Sequence, residues 1–402
     1  MRKGTFASHV TSLSLNSLFM KTFLNNLSPL YPSSLSFSFL GEKKSYIRAV
    51  ACLLCVICPL LTTGQSVRGL KDAYRNHFDI GVALSLKNVS SPEHLDLIKS
   101  NFNSVTAENA MKPAPVHPRE GVYTWEAADR IANFCRENGI RMRGHCLCWQ
   151  NQFPDWMFVD AQGKDVSKEV FYARLREHIH AVVNRYKDVV YAWDVVNEAI
   201  ADGPADVTCP YHQSRIYRLC GDEFIAKAFT FAHEADPKSL LFYNDYSTVD
   251  PAKRDRILAM VRKMHQQGVP IHGIGMQAHY NIYWPETKLL EAAIDSFSQV
   301  VDLLHITELD IRASHEAGGQ LKFQQGSNQM PDHEVLSRFN RQYAELFRVF
   351  RRHSDVIGSV TFWNLSDNDS WLGSANYPLL IDKDYKFKPA YYIVRDLEEL
   401  SE

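Results

Sequence analysis

Eight short apolar runs, most of them followed by a longer amphipathic stretch, recur from Leu70 onward, and this alternation limits the possible fold more than any other feature. The runs are Phe78–Ala83, Ser104–Glu108, Arg141–Trp149, Val189–Asn197, Leu240–Asp245, Gly273–His279, Leu304–Asp310 and Ser359–Leu365. Each is rich in Val, Ile, Phe or Tyr, as a strand buried on both faces should be. Between them lie Trp125–Asn138, Lys168–Tyr186, Asp222–Glu234, Pro251–Gln267, Thr287–Phe297 and His333–His353, which read as amphipathic helices. Parallel strands need long crossovers, and helices supply them. The pattern predicts an α/β fold, a single (β/α)8 TIM barrel with elaborated loops. An open doubly wound sheet would normally carry a Gly-rich phosphate turn after an early strand; the sequence has none. No internal repeat or low-complexity linker interrupts the pattern, so residues 65–402 are read as one barrel domain and residues 1–64 as an N-terminal extension.

The ends of the runs carry the chemistry. Buried strands should be apolar, yet these finish in Glu108–Asn109, His145, Trp149, Asn197–Glu198, Asn244–Asp245, Gln277 with His279, Glu308 with Asp310, and Trp363–Asn364. In a barrel the C-terminal strand ends converge on one face, where active sites sit. Any one of these groups could be a satisfied structural polar residue. A ring of them from most of the strands is harder to explain that way, because each buried charge needs compensation. Glu198 and Glu308 end the fourth and seventh runs and would face each other over the mouth. Paired carboxylates across a gap suit glycoside cleavage, one protonating the leaving oxygen and the other attacking the sugar carbon. Neighbours can divide the two roles by moving the pKa values apart. Asn197 can donate to a substrate hydroxyl, and His279 with Asp310 can hold Glu308 ionised. The alternative is a pair of structural ion pairs.

Other features are weaker. His145 followed by Cys146 and Cys148 does not match zinc spacing, and alternation along a strand puts His145 on one face with Leu147 and not with either Cys; no metal is expected. Lys112 could form a Schiff base, but its polar neighbours favour hydrogen bonding to hydroxyls. The formal net charge of −2 gives no footprint for nucleic acid or an anionic membrane surface. Lys43, Lys44 and Arg48 precede an apolar run, Ala49–Leu61, and small residues follow, which is a signal-peptide pattern. It lies far from Met1, so an over-long start, with Met20 or a later start in use, and a signal anchor are the two explanations. Export is the expectation, with no stable membrane partner after processing. Three of the eight Cys lie in that run; of the remainder, Cys209 and Cys220 either pair or stay free. Asn88–Val89–Ser90 is a glycosylation sequon.

Several motifs, in order and spacing, make the chain from about Leu70 to Leu397 resemble glycoside hydrolase family 10, the xylanase family with a (β/α)8 barrel. TAENAMKP (106–113) resembles the segment that binds the distal donor-side sugar, which implies that role for Glu108, Asn109 and Lys112. RGHCLCWQNQFPDW (143–156) implies that His145 and Trp149 line the subsite of the cleaved sugar, with Gln152 nearby. YAWDVVNEA (191–199) resembles the acid/base signature, assigning Glu198 that role and Asn197 the sugar 2-hydroxyl. GMQAHY (275–280) supplies Gln277 and His279, and HITELDI (305–311) places the nucleophile on Glu308, oriented by Asp310 and His279. VTFWNLSDNDSWL (360–372) supplies Trp363 and Trp371 as an aromatic lid, and PLLIDKDYKFKPAY (378–391) resembles the closing segment. The chain departs from the family at Cys146, Cys148 and Gln150, where Thr, Val and His are common, and at Asn364, where Gly is usual. The resemblance implies endo-hydrolysis of β-1,4-xylosidic bonds with retention; protonation and carboxylate attack need no cofactor, and a monomer is the expectation. The alternatives are a retaining β-1,4-glucanase and a non-catalytic polysaccharide-binding protein. Retention requires carboxyl groups about 5–5.5 Å apart.

Overall fold

The computed structural model describes residues 68–203, 209–313 and 331–397, within a compact unit that begins at Val67. Its strands are β1 (Asp79–Leu84), β2 (Ser104–Ala107), β3 (Arg141–Trp149), β4 (Val190–Asn197), β5 (Leu240–Asp245), β6 (Gly273–Met276), β7 (His279–Asn281), β8 (Leu303–Arg312) and β9 (Ile357–Phe362). The main helices are α1 (Pro92–Asn101), α2 (Glu126–Asn138), α3 (Lys168–Tyr186), α4 (Glu223–Ala235), α5 (Pro251–Gln266), α6 (Thr287–Phe297), α7 (His333–Arg352) and α8 (Pro389–Arg395). The strands pair in parallel in the order β6-β5-β4-β3-β2-β1-β9-β8, and β6 pairs with β8 to close the ring. This is the eight-stranded parallel barrel expected from the alternation.

Several strand ends shift by one or two residues, and two differences from expectation bear on the site. The run Gly273–His279 is two strands, broken at Gln277–Ala278, with Ala278 at φ 64. That left-handed residue turns the chain, so that β7 pairs with the outer end of β8, His279 opposite Asp310. The last strand ends at Phe362, leaving Trp363 and Asn364 just beyond it, the latter at φ 95.

Apolar faces of the helices seal the barrel. Phe171, Leu175, Ile179 and Val182 on α3 are fully buried, as are Phe339, Tyr343, Phe347 and Phe350 on α7. Truncating one such Leu or Ile to Ala typically costs about 2–5 kcal/mol. Side-chain caps fix the helix starts: Ser167 accepts from the Val170 N–H, Asp250 from Ala252 and Lys253, and Asp332 from Val335. On the outer face of the strands, Gly144 is needed because a Cβ there would collide with the fully buried Trp193 ring.

Cys209 and Cys220 are free thiols, not a disulfide. Cys209 is engaged instead by the Gln213 amide at 2.7 Å and by the Tyr217 hydroxyl at 3.3 Å. Asn88 of the sequon is 1 % exposed, and its Oδ1 accepts from the Ser85 N–H and hydroxyl, both at 2.9 Å, so it is folded away from modification. The apolar run Ala49–Leu61 lies outside the described residues. Among those described, no helix is long and apolar enough to cross a membrane.

Candidate active site

Glu198, just past β4, and Glu308, on β8, are separated in the barrel by β5 and β6, and residues at the ends of those two strands fill the gap. Asn244, at the end of β5, donates from Nδ2 to Glu308 Oε1 at 2.9 Å and to Asn197 Oδ1 at 2.8 Å. Gln277, just past β6, donates to Glu198 Oε1 at 2.9 Å and to Asn197 Oδ1 at 3.3 Å. Thr307 fixes the Asn244 amide by donating to its Oδ1 at 2.7 Å. Gly275 leaves room for that amide, since a Cβ there would collide with it. The two carboxyls are therefore braced by one amide network.

Their environments differ. Glu198 follows β4 at φ 57, a conformation that costs a non-glycine residue about 1 kcal/mol or more. Its carboxyl accepts from Trp149 Nε1 at 3.0 Å, Asn197 Nδ2 at 3.1 Å and Gln277 Nε2. Burial is the largest influence and pushes the carboxyl up to about 7; the Asp245 and Glu308 charges add to the rise, while the Gln277 hydrogen bond and Lys253 oppose it. Glu308 is 5 % exposed. Burial would raise its pKa too, but the hydrogen bond from His279 and the fields of His145 and His279 outweigh it and hold the carboxyl below its ordinary value. His279 bridges Glu308 Oε2 at 3.2 Å and Asp310 Oδ2 at 2.9 Å. Burial disfavours its charged form, yet Asp310 and Glu308 together raise it to about 10, so it is an imidazolium at neutral pH. One carboxyl thus keeps its proton near neutrality while the other is ionised, the division that acid and nucleophile roles need.

The other expected residues form the walls. His145 donates or accepts through Nδ1 at 2.9 Å from Asp194, which is itself clamped by both terminal nitrogens of Arg143. Trp363 packs edge-on to His145 with ring centroids 5.3 Å apart, and Trp371 packs against His279 at 4.9 Å. The Trp371 indole N–H donates to Asp310 Oδ2 at 2.8 Å. Lys112 donates to Asn109 at 2.7 Å and lies 5.1 Å from the Trp149 ring and 6.0 Å from that of Trp363. Glu108 is raised by burial, against a hydrogen bond from Asn364 and the Lys112 charge. Gln152 sits in the turn after β3, where its backbone N–H donates to Trp149 O at 3.0 Å. Asn244 and Asp194 are site residues that the sequence reading had not assigned. Asn244 was visible as a strand-end polar group; Asp194, inside an apolar run between Trp193 and Val195, was a charge with no evident partner.

Among the described residues, no group of three His, Cys, Asp or Glu side chains is placed to hold a metal. The β3–β4 register shifts between His145 and Cys148, so simple alternation does not continue past His145.

Residues 69–397 match the family profile of glycosyl hydrolase family 10. The chain belongs to that family. It is 59% identical over 339 residues to an endo-1,4-beta-xylanase/feruloyl esterase of Xylanibacter ruminicola, covering 82% of this chain and 47% of the relative. The chain thus spans about half of that relative's length. It is 42% identical to endo-1,4-beta-xylanase B of Paenibacillus barcinonensis, covering 81% of this chain and 97% of the relative. A solved psychrophilic family 10 endo-beta-1,4-xylanase superposes with a TM-score of 0.78 at 53% identity, covering 82% of this chain and 99% of the other. In this family 10 barrel the departure at Asn364 has a structural use. Its Oδ1 accepts from the Trp371 N–H at 3.2 Å, tying the lid loop to the strand end.

Proposed function

We propose that this chain hydrolyses internal β-1,4-xylosidic bonds of xylan with retention, Glu308 acting as nucleophile and Glu198 as acid/base. The observation that carries the reading is the opposed protonation of two carboxyls braced by one amide network. Glu308 attacks the anomeric carbon while Glu198 gives its proton to the leaving oxygen, forming a glycosyl-enzyme. Glu198, now ionised, takes a proton from water, which attacks the same carbon and frees Glu308. Asn197 takes the sugar 2-hydroxyl in this reading. His145, Trp363 and Trp371 enclose the cleaved sugar, and Glu108, Asn109 and Lys112 hold the next one on the donor side. These steps need no cofactor.

Xylan is favoured by what the relatives are named for. Reducing ends should be released from xylan much faster than from carboxymethyl cellulose or mixed-linkage glucan; preference for a glucan would overturn the substrate, and binding without turnover would overturn the reaction. Export is part of the same proposal, supported by the apolar run Ala49–Leu61. Mature protein found only in the cytoplasm would refute export.

A further inference from the structure

β5 serves both carboxyls, from opposite faces. Successive strand residues point to opposite sides, so Asn244 reaches the nucleophile while Tyr243 and Asp245 share the other face. The Tyr243 hydroxyl accepts from the N–H groups of Ala199 and Ile200, both at 3.0 Å, the two peptides that follow Glu198. It donates in turn to Asp245 Oδ2. Asp245 Oδ1 pairs with Lys253 Nζ at 2.8 Å and accepts from the Tyr246 N–H at 2.9 Å. Tyr243 and Asp245 are fully buried, and Lys253 is 2 % exposed.

A buried ion pair is weak evidence of stability, because desolvation offsets its attraction. Its placement is more informative. Lys253 and Arg256, both on α5, hold the segment that leaves Glu198. Lys253 also pairs with Asp202 at 2.9 Å, and Arg256 donates to the carbonyls of Ala201 at 2.7 Å and Gly203 at 2.6 Å. Glu198 is in a left-handed conformation, so the peptides after it must be held for its carboxyl to stay aimed. Its own N–H donates to Asn244 O at 2.9 Å. Three consecutive peptide N–H groups, those of residues 198 to 200, are thereby fixed to two adjacent residues of β5.

We propose that Tyr243, anchored by the buried Asp245–Lys253 pair, is a positioning residue that aims the Glu198 carboxyl at the leaving oxygen. The inference rests on the acid/base assignment of Glu198. A misaimed acid weakens protonation of the leaving group and little else, and this separates positioning from a general structural role.

The test compares kcat/KM, which reports glycosylation, on xylohexaose and on dinitrophenyl β-xylobioside, whose leaving group needs no proton. Tyr243→Phe should lose about tenfold or more on xylohexaose and less than about threefold on the dinitrophenyl substrate, since misplacement of a reacting group can cost about a hundredfold. Asp245→Asn keeps the side-chain volume and an acceptor for the hydroxyl; it should show the same split at smaller size, and it carries the test if Tyr243→Phe does not fold. Equal losses on both substrates, or no loss on either, would overturn the proposal. A parent enzyme that cleaves neither substrate would overturn the functional reading first, and this inference with it.

Discussion

Glu198→Gln should abolish most turnover yet stabilise the fold, and the stabilisation should appear only as pH rises. The carboxyl's pKa moves from an ordinary 4.5 to about 7 in the folded chain. Each pKa unit is about 1.36 kcal/mol, so the rise is worth about 3 kcal/mol, or about 2 kcal/mol once the partial access of solvent to the cleft side is allowed for. The raised pKa makes the folded state bind the proton more tightly than the unfolded chain. Its contribution is fully present below about 4.5 and is lost as pH rises through about 7. Glutamine has no such titration. It does turn an amide N–H2 toward donors from Trp149, Asn197 or Gln277, but that penalty does not vary with pH. At about 2.1 cal/mol/K per residue, a domain of roughly 330 residues has an unfolding entropy near 0.7 kcal/mol/K, so about 2 kcal/mol is about 3 °C. Melting curves of both proteins from pH 4.5 to pH 8 should therefore show the variant's Tm gaining about 3 °C on the parent across the window. A difference that stays constant with pH would refute the reasoning that burial of this carboxyl stores the energy.

The opposed displacements of the two carboxyls set the activity profile. The acid limb of kcat/KM should fall below the ordinary carboxylate range, where Glu308 takes a proton, and the basic limb should fall near pH 7, where Glu198 loses one; a basic limb above pH 9 would contradict the assignment. Glu308→Ala should fold normally and lose turnover by at least about a thousandfold, because the covalent step is gone, and steady-state rates on xylan measure it. Gly275→Ala should lower kcat by about tenfold or more by displacing the Asn244 amide from Glu308; unchanged kcat would remove Asn244 from the account. Gly144→Ala should destabilise the barrel by roughly 1–3 kcal/mol through overpacking against Trp193, read as a lowered urea midpoint.

Much of the barrel was legible because parallel strands buried on both faces cannot hide their apolar runs. Six of the longest helices announced themselves by spacing, and the strand-end polar groups marked the mouth. What escaped depended on residues meeting across strands. Gln277 and His279 look like one strand in sequence; only the left-handed Ala278 between them sends one side chain to Glu198 and the other to Glu308. Asn244 gains its role from the β4–β5 register, which sets it opposite Asn197. Tyr243 reads as an ordinary core aromatic, because its partners are peptide N–H groups of another strand's loop and have no sequence signature. The pairing of Cys209 with Cys220 was open on spacing alone, and local contacts of the Cys209 thiol decided it.

The most direct test of the two-carboxylate account is proton NMR of the anomeric signals during early hydrolysis of xylohexaose by the domain from Gln65 onward. Newly formed reducing ends should appear first as the β-anomer and only later mutarotate, as a double displacement through Glu308 requires. Initial α-anomer would mean inversion and would contradict the assignment of Glu308 as nucleophile.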